Sequence, residues 1–204
     1  MYKRQLLFIA KRHIGLELSE QAHLAVQAGC GWIQVCIDDI SDQDARAQLS
    51  VIANECREQG VILTIEDNPE LAAEMGVHGV YISESSTNAR ALREKLGAEA
   101  IIGIAAASAS SVGTLAALDI DYVTIPTDTG VDEAAAFVKT VRDAGVNTPI
   151  VAVGAFAAAN IRAMIAAGVN GFALSLEDIG SSSDAVQAID CILSTINTVT
   201  KKVE

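Results

Sequence analysis

The side chains best suited to chemistry in this sequence are carboxylates. Asp38, Asp39, Glu66, Asp67, Glu84, Asp128, Glu177 and Asp178 all follow short apolar runs; of fourteen lysines and arginines, only Lys11 and Arg12 do so. Carboxylates gathered in one place hold cations and repel anions, and two positive side chains offer an anion little compensation. Lys11 and Arg12 read either as an anion holder or as plain surface charge. Schiff-base chemistry needs a lysine inside the fold. The six lysines (Lys3, Lys11, Lys95, Lys139, Lys201 and Lys202) all lie outside the second and later apolar runs. Histidine-ligated metal catalysis needs imidazoles where those runs end, and His23 and His78 are placed elsewhere. Cys30, Cys36, Cys56 and Cys191 have no CxxC spacing and no histidine beside them, so they read as small core residues of a reduced compartment. Gln34 is a polar residue inside an apolar run. It either orients a substrate or fills an interior layer with its amide satisfied.

The elements that must position these residues are short and regular. Apolar runs at Leu6–Ala10, Trp32–Ile37, Val61–Ile65, Gly79–Ile82, Ile101–Ala105, Tyr122–Ile125, Ile150–Val153 and Gly171–Leu174 have the length and branching of strands buried on both faces. Amphipathic segments such as Asp42–Gln59, Thr87–Leu96, Val131–Ala144, Ala158–Ala167 and Asp184–Thr200 separate them. Alternation of this kind builds an open doubly wound sheet or a closed barrel. An internal repeat decides the matter. Gly29-Cys30-Gly31-Trp32, Gly76-Val77-His78-Gly79 and Gly168-Val169-Asn170-Gly171 share a helix-glycine-turn-strand signature, and Leu118–Tyr122 keeps the register without the glycines. A two-strand unit recurring every roughly 40–50 residues is what a barrel of four quarters predicts. No GxGxxG follows the first strand, which removes the dinucleotide-binding alternative. The fold class is therefore α/β, a (β/α)8 TIM barrel, with residues 1–204 as a single domain.

Composition narrows the partners. A net charge of −12 speaks against nucleic acid and anionic membrane, since both call for a basic footprint. Apolar runs fall far short of the about 20 residues that span a bilayer, and the N-terminus reads as a first strand instead of a signal peptide. A cytoplasmic protein is expected, with self-association into a homo-oligomer left open.

The strand ends Ile33–Asp38, Thr64–Asn68, Gly79–Glu84, Ile101–Ala105, Val151–Gly154 and Gly168–Ser175 resemble, in order and spacing, those of thiamine phosphate synthase and its sister thiazole tautomerase. The likeness runs over roughly residues 6–195. It implies a thiamine-biosynthesis transferase that joins a pyrimidine pyrophosphate to a thiazole phosphate with magnesium. In that family the second strand carries Gln-x-Arg-x-Lys; here Gln34 is kept, but Cys36 and Asp38 stand where the cations belong. The family's magnesium ligand after the third strand is matched by Asp67. The second carboxylate is lost at Ser86, leaving Glu84 nearby as a substitute. Asp67 and Glu84 are thus the expected magnesium pair, the alternative being a solvated acidic rim. The pyrophosphate-clamping loop is reduced to Pro126-Thr127-Asp128-Thr129-Gly130 without a lysine, and Ala105 and Ala107 replace a serine and a histidine. The resemblance places a phosphate cup at Gly154 and Ser175, with Ala155 in place of the family's second glycine.

The expectation is a diverged member of this family that binds a phosphorylated or thiazole-like small molecule through Gln34, Lys11, Gly154 and Ser175, without the standard transferase activity. Two alternatives stand beside it. One is an active synthase with a rearranged, magnesium-dependent site, and the other is a scaffold or regulatory barrel acting through its outer helices.

Overall fold

The structure, a computed structural model, describes residues 5–13, 15–38, 40–83, 88–106, 108–127, 130–180 and 184–200. Strand Gln5–Ala10 (β1) is followed by helix Leu18–Gln27 (α1), then Trp32–Val35 (β2) and Asp42–Gln59 (α2). The second quarter holds Ile62–Glu66 (β3), Pro69–Met75 (α3), Gly79–Ile82 (β4) and Ala89–Leu96 (α4). The third holds Ile101–Ala105 (β5), Ala109–Ala116 (α5), Tyr122–Pro126 (β6) and Val131–Asp143 (α6). Ile150–Val153 (β7), Ala158–Ala167 (α7), Gly171–Leu174 (β8), the short Leu176–Ile179 (α8) and Ala185–Thr200 (α9) complete the chain. The strands are parallel and pair in sequence order, and β1 closes on β8, as the repeat predicted. Among the described residues no helix is long and apolar enough to cross a membrane.

The ends of β1, β2, β3 and β6 differ from the sequence expectation by one or two residues, and two of these differences bear on the site. β2 stops at Val35: the Cys36 N–H still donates to the Ala10 carbonyl at 2.9 Å, but β1 ends there and offers no further partner. β3 instead runs on to Glu66, because the Asp67 N–H donates to the Tyr81 carbonyl of β4 at 2.8 Å. Glu66 thereby becomes a strand residue. Cysteine placement also needs correction. Cys30 and Cys56 are buried, as expected of small core residues, whereas Cys36 is half-buried and Cys191, on α9, is exposed.

The repeat has a structural basis on the underside of the barrel. Gly29, Gly76 and Gly168 lead out of their helices at φ of 83°, 60° and 108°. Just before β4, β6 and β8 a polar side chain reaches back to the preceding odd strand. The Leu63 N–H donates to His78 Nδ1 (3.0 Å), the Ile102 N–H to Asp121 Oδ2 (2.8 Å) and the Ile150 N–H to Asn170 Oδ1 (3.0 Å). Two of these acceptors are themselves gripped by arginines from the helix layer, Asp121 by Arg93 and Asn170 by Arg142. The corresponding position in the first quarter is Gly31, where the neighbouring Cys30 thiol donates to the Leu6 carbonyl. Backbone groups at a strand end need partners when water is excluded, so each quarter carries its own.

Most of the buried apolar residues lie between the strands and the helices. A second, smaller cluster fills the lumen: Leu7, Trp32, Tyr122, Val151 and Ala173, with Tyr81 packed against it. Trp32 is core, as expected, and meets Tyr122 edge-on with centroids 4.9 Å apart. Gly103 makes this packing possible, since a Cβ there would sit 2.0 Å from Tyr122 Cζ. A small residue facing a large one is how a barrel layer reaches interior density. Gly103→Ala is therefore expected to cost about 3 kcal/mol in urea unfolding, with part of the loss recovered when Tyr122→Leu is added.

Candidate functional site

Alternation along the strands brings Gln34 of β2, Glu66 of β3, Tyr81 of β4 and Thr124 of β6 into the lumen above the aromatic layer, where they pair with one another. The Gln34 amide donates from Nε2 to Glu66 Oε2 at 2.8 Å, and the Tyr81 hydroxyl lies 2.8 Å from Thr124 Oγ1. Below them, Trp32 Nε1 donates to Thr64 Oγ1 at 3.2 Å. Gln34 is 2% exposed, and its Oε1 is buried without a partner. Its amide nitrogen is satisfied by Glu66, and its oxygen has no partner among the described residues.

Lys11 leaves β1 at the rim and forms an ion pair with Glu177 of α8, Nζ to Oε2 2.6 Å. The bridge joins the ends of the first and last strands, and the lysine holds the Glu177 carboxyl below its usual range. The loop after β1 is fixed from within by fully buried Gln21, which donates to the Lys11 carbonyl at 2.7 Å.

Asp67 is exposed and adopts a left-handed φ of 50°, uncommon outside glycine. Its carboxylate accepts the Ser83 N–H at 2.9 Å and the Ser83 hydroxyl, tying β3 to β4. Glu84, its expected magnesium partner, lies outside the described residues. Among the described residues no group of three or more His, Cys, Asp or Glu could hold a metal ion. Of the expected pair, Asp67 is the member within the described residues, and its carboxylate is engaged by Ser83.

On the opposite side of the mouth, Gly154 has φ 139° and donates its N–H to the Ala173 carbonyl at 3.0 Å. A Cβ at Gly154 would lie 2.4 Å from Thr127 Oγ1, which is turned inward to donate to the Val153 carbonyl. The glycine thus makes room for a threonine of the neighbouring loop. Ser175 is buried, and both its N–H (2.7 Å) and its hydroxyl (2.8 Å) donate to Asp178 Oδ2. The chain's own carboxylate therefore takes the position where the cup was expected to offer donors to a phosphate.

Glu66 is the residue that reading the sequence for sites passed over. It was counted in the acidic rim, although strand alternation from Gln34 and Thr64 points it into the lumen. Burial pushes its carboxyl up, Asp67 and Asp38 push the same way, and the Gln34 hydrogen bond and Lys11 oppose them. Cys36 beside it is raised to about 11, chiefly by burial, which leaves a thiol in place of a nucleophilic thiolate. A cavity of about 800 Å³ opens on the flank near β1 and β2, lined by Arg12, His13, Glu17, Glu20 and Asp44 among others, but it includes none of the lumen residues.

Two outcomes follow from this geometry. Gly154→Ala should lose about 2 kcal/mol of stability in urea unfolding, and adding Thr127→Ala should return part of it. Glu66, with its folded-state pKa raised, weakens the fold once it ionises. That penalty is absent below the unfolded value of about 4.3 and complete above the folded one. Glu66→Gln should therefore be more stable than the parent at pH 7 and level with it at about pH 4, by the same measurement.

A model of the family described as thiamine monophosphate synthase matches residues 6–177. The thiamine-phosphate synthase of Bacteroides fragilis is 30% identical over 182 residues, covering 83% of this chain and 89% of that protein. The Geobacillus kaustophilus enzyme of the same name is 32% identical over 124 residues, covering 57% of this chain and 56% of its own. Among solved structures, thiamine phosphate pyrophosphorylase from Pyrococcus furiosus superposes with a TM-score of 0.81 at 20% identity, covering 97% of this chain and 98% of that one, a likeness of fold. With its closed eight-stranded barrel and a match spanning most of its length, this chain belongs to the thiamine monophosphate synthase family.

Proposed function

We propose that this chain is a diverged member of its family, one that admits a small thiazole-like molecule to the barrel mouth and does not carry out the standard transfer from pyrimidine pyrophosphate. The observation that carries this reading is the ion pair at the rim. Lys11 is a strand-end cation in a mouth otherwise rich in carboxylates, and Glu177 holds it at 2.6 Å. Transfer from a pyrophosphate leaves a group of about three negative charges, which active sites stabilise with positive groups aimed at the developing charge. Cys36 and Asp38 stand at strand-end positions where the family carries cations, and Glu66 adds a half-buried carboxyl group nearby.

A phosphorylated ligand fits less readily than a bare heterocycle. At Ser175 it would have to displace Asp178, and the Gly154 N–H is already committed to Ala173. Neither residue is expected to add to affinity until that displacement occurs.

A second reading, an active synthase with a rearranged site, draws support from 30% identity to a curated synthase over most of the chain. One assay separates the two. The purified protein is incubated with the pyrimidine pyrophosphate, the thiazole phosphate and magnesium, and the coupled product is followed. Product at no more than the uncatalysed rate is expected. Turnover in the ordinary range of about 1 per second or faster would establish the second reading and end the first.

A further inference from the structure

We infer that Glu66 is the ligand-selecting group of the mouth and that it takes a planar nitrogen cation of the amidine class. This rests on the reading that the mouth accepts a small heterocycle, and it narrows that class to rings carrying an amidine-type cation, as an amino-substituted heterocycle does.

Gln34 points its amide nitrogen at Glu66, so the buried atom left over is an acceptor, Oε1. Turning the amide over would set two oxygens against each other, so the carboxylate itself fixes this orientation. Glu66 receives that single hydrogen bond and has no ion-pair partner among the described residues. The surrounding groups cannot supply one. Lys11 is held by Glu177, the Cys36 thiol is turned to Asp38 Oδ2 at 3.7 Å, and the Tyr81 hydroxyl is paired with Thr124. Asp38 and Asp67 are further carboxylates near Glu66.

A half-buried carboxylate that feels Lys11 only at a distance, while that lysine is paired with Glu177, and that sits beside an amide oxygen with no partner among the described residues, is relieved by a ligand that brings both positive charge and N–H donors. Two features favour a flat, delocalised cation over an ammonium. A carboxylate matches a planar pair of N–H donors in fork geometry. Tyr81, the register partner of Glu66 on the next strand, adds an aromatic surface beside it.

The test uses the full chain, with benzamidine as the cation and benzamide as its neutral counterpart of the same shape. Binding is followed by titration calorimetry and by the fluorescence of Trp32, the single tryptophan, which lies two residues before Gln34 in β2. Saturable binding of benzamidine is expected, with benzamide weaker by about tenfold or more. Glu66→Gln should weaken benzamidine by a similar factor and leave benzamide where it was. Equal affinity for the two compounds, benzamidine affinity unaltered by Glu66→Gln, or no saturable binding of benzamidine would each overturn the inference. The comparison of the two compounds on the parent protein is independent of the variant. Product in the coupled assay would remove the proposed function without touching this comparison, and equal affinities would remove this inference without touching the assay.

Discussion

A closed parallel barrel must fill its own interior, and every other feature of this molecule follows from how that is done. Eight strands pointing alternate residues inward enclose a space that cannot be left empty. Here Trp32 and Tyr122 occupy the lower lumen, with Gly103 stepping aside for the tyrosine ring. Tyr81 and Tyr122 lie nearly parallel with centroids 6.4 Å apart, and Tyr81 carries the aromatic column up to Thr124. That column is the floor on which Gln34 and Glu66 rest. Aromatic residues are only 4% of the sequence; Trp32, Tyr81 and Tyr122 shape the lumen, while Phe8, Phe137, Phe156 and Phe172 pack with the aliphatic residues of the outer core.

The acidic character of the mouth is organised by pairing. Asp67 serves Ser83, Asp178 serves Ser175, and Glu177 serves Lys11. Each of these carboxylates holds a loop or turn in place, a structural use of a rim residue. Glu66 differs in accepting one side-chain hydrogen bond, from the Gln34 amide, where Asp67 and Asp178 each accept two from a serine. Carboxylates that hold the rim together and one that is held only by an amide can look alike in composition, yet only the latter keeps unspent capacity for a ligand.

The fold was legible because it is periodic. Strand length, branching and the recurring glycine-turn-strand unit all pointed to one architecture, and consistency between local and global signals is what lets a sequence specify a fold. Helix Asp42–Gln59 matched to the residue because Ser41 caps its start and Gly60 its end, both visible in the chain. The candidate site was legible only in outline. Gln34 could be placed in the lumen by alternation, but its orphaned oxygen depends on where Glu66 sits, and that depends on one more ladder bond in β3 than the apolar run suggested. Gly154 and Ser175 directly follow β7 and β8. What their N–H groups donate to, Ala173 and Asp178, is settled by contacts between loops that have no signature in sequence.

The polar side chains on the underside have a consequence for how such a chain can change. His78, Asp121 and Asn170 each secure the strand just before their own, so three pairs of neighbouring strands carry their own fastening. Stitching of this kind makes the pair, more than the single strand, the natural unit of inheritance. Duplication, exchange or loss of chain segments at the boundaries between pairs would preserve every stitch, whereas a cut within a pair would strand a backbone amide. The molecule is in that sense divisible, with seams set by three side chains far from the mouth.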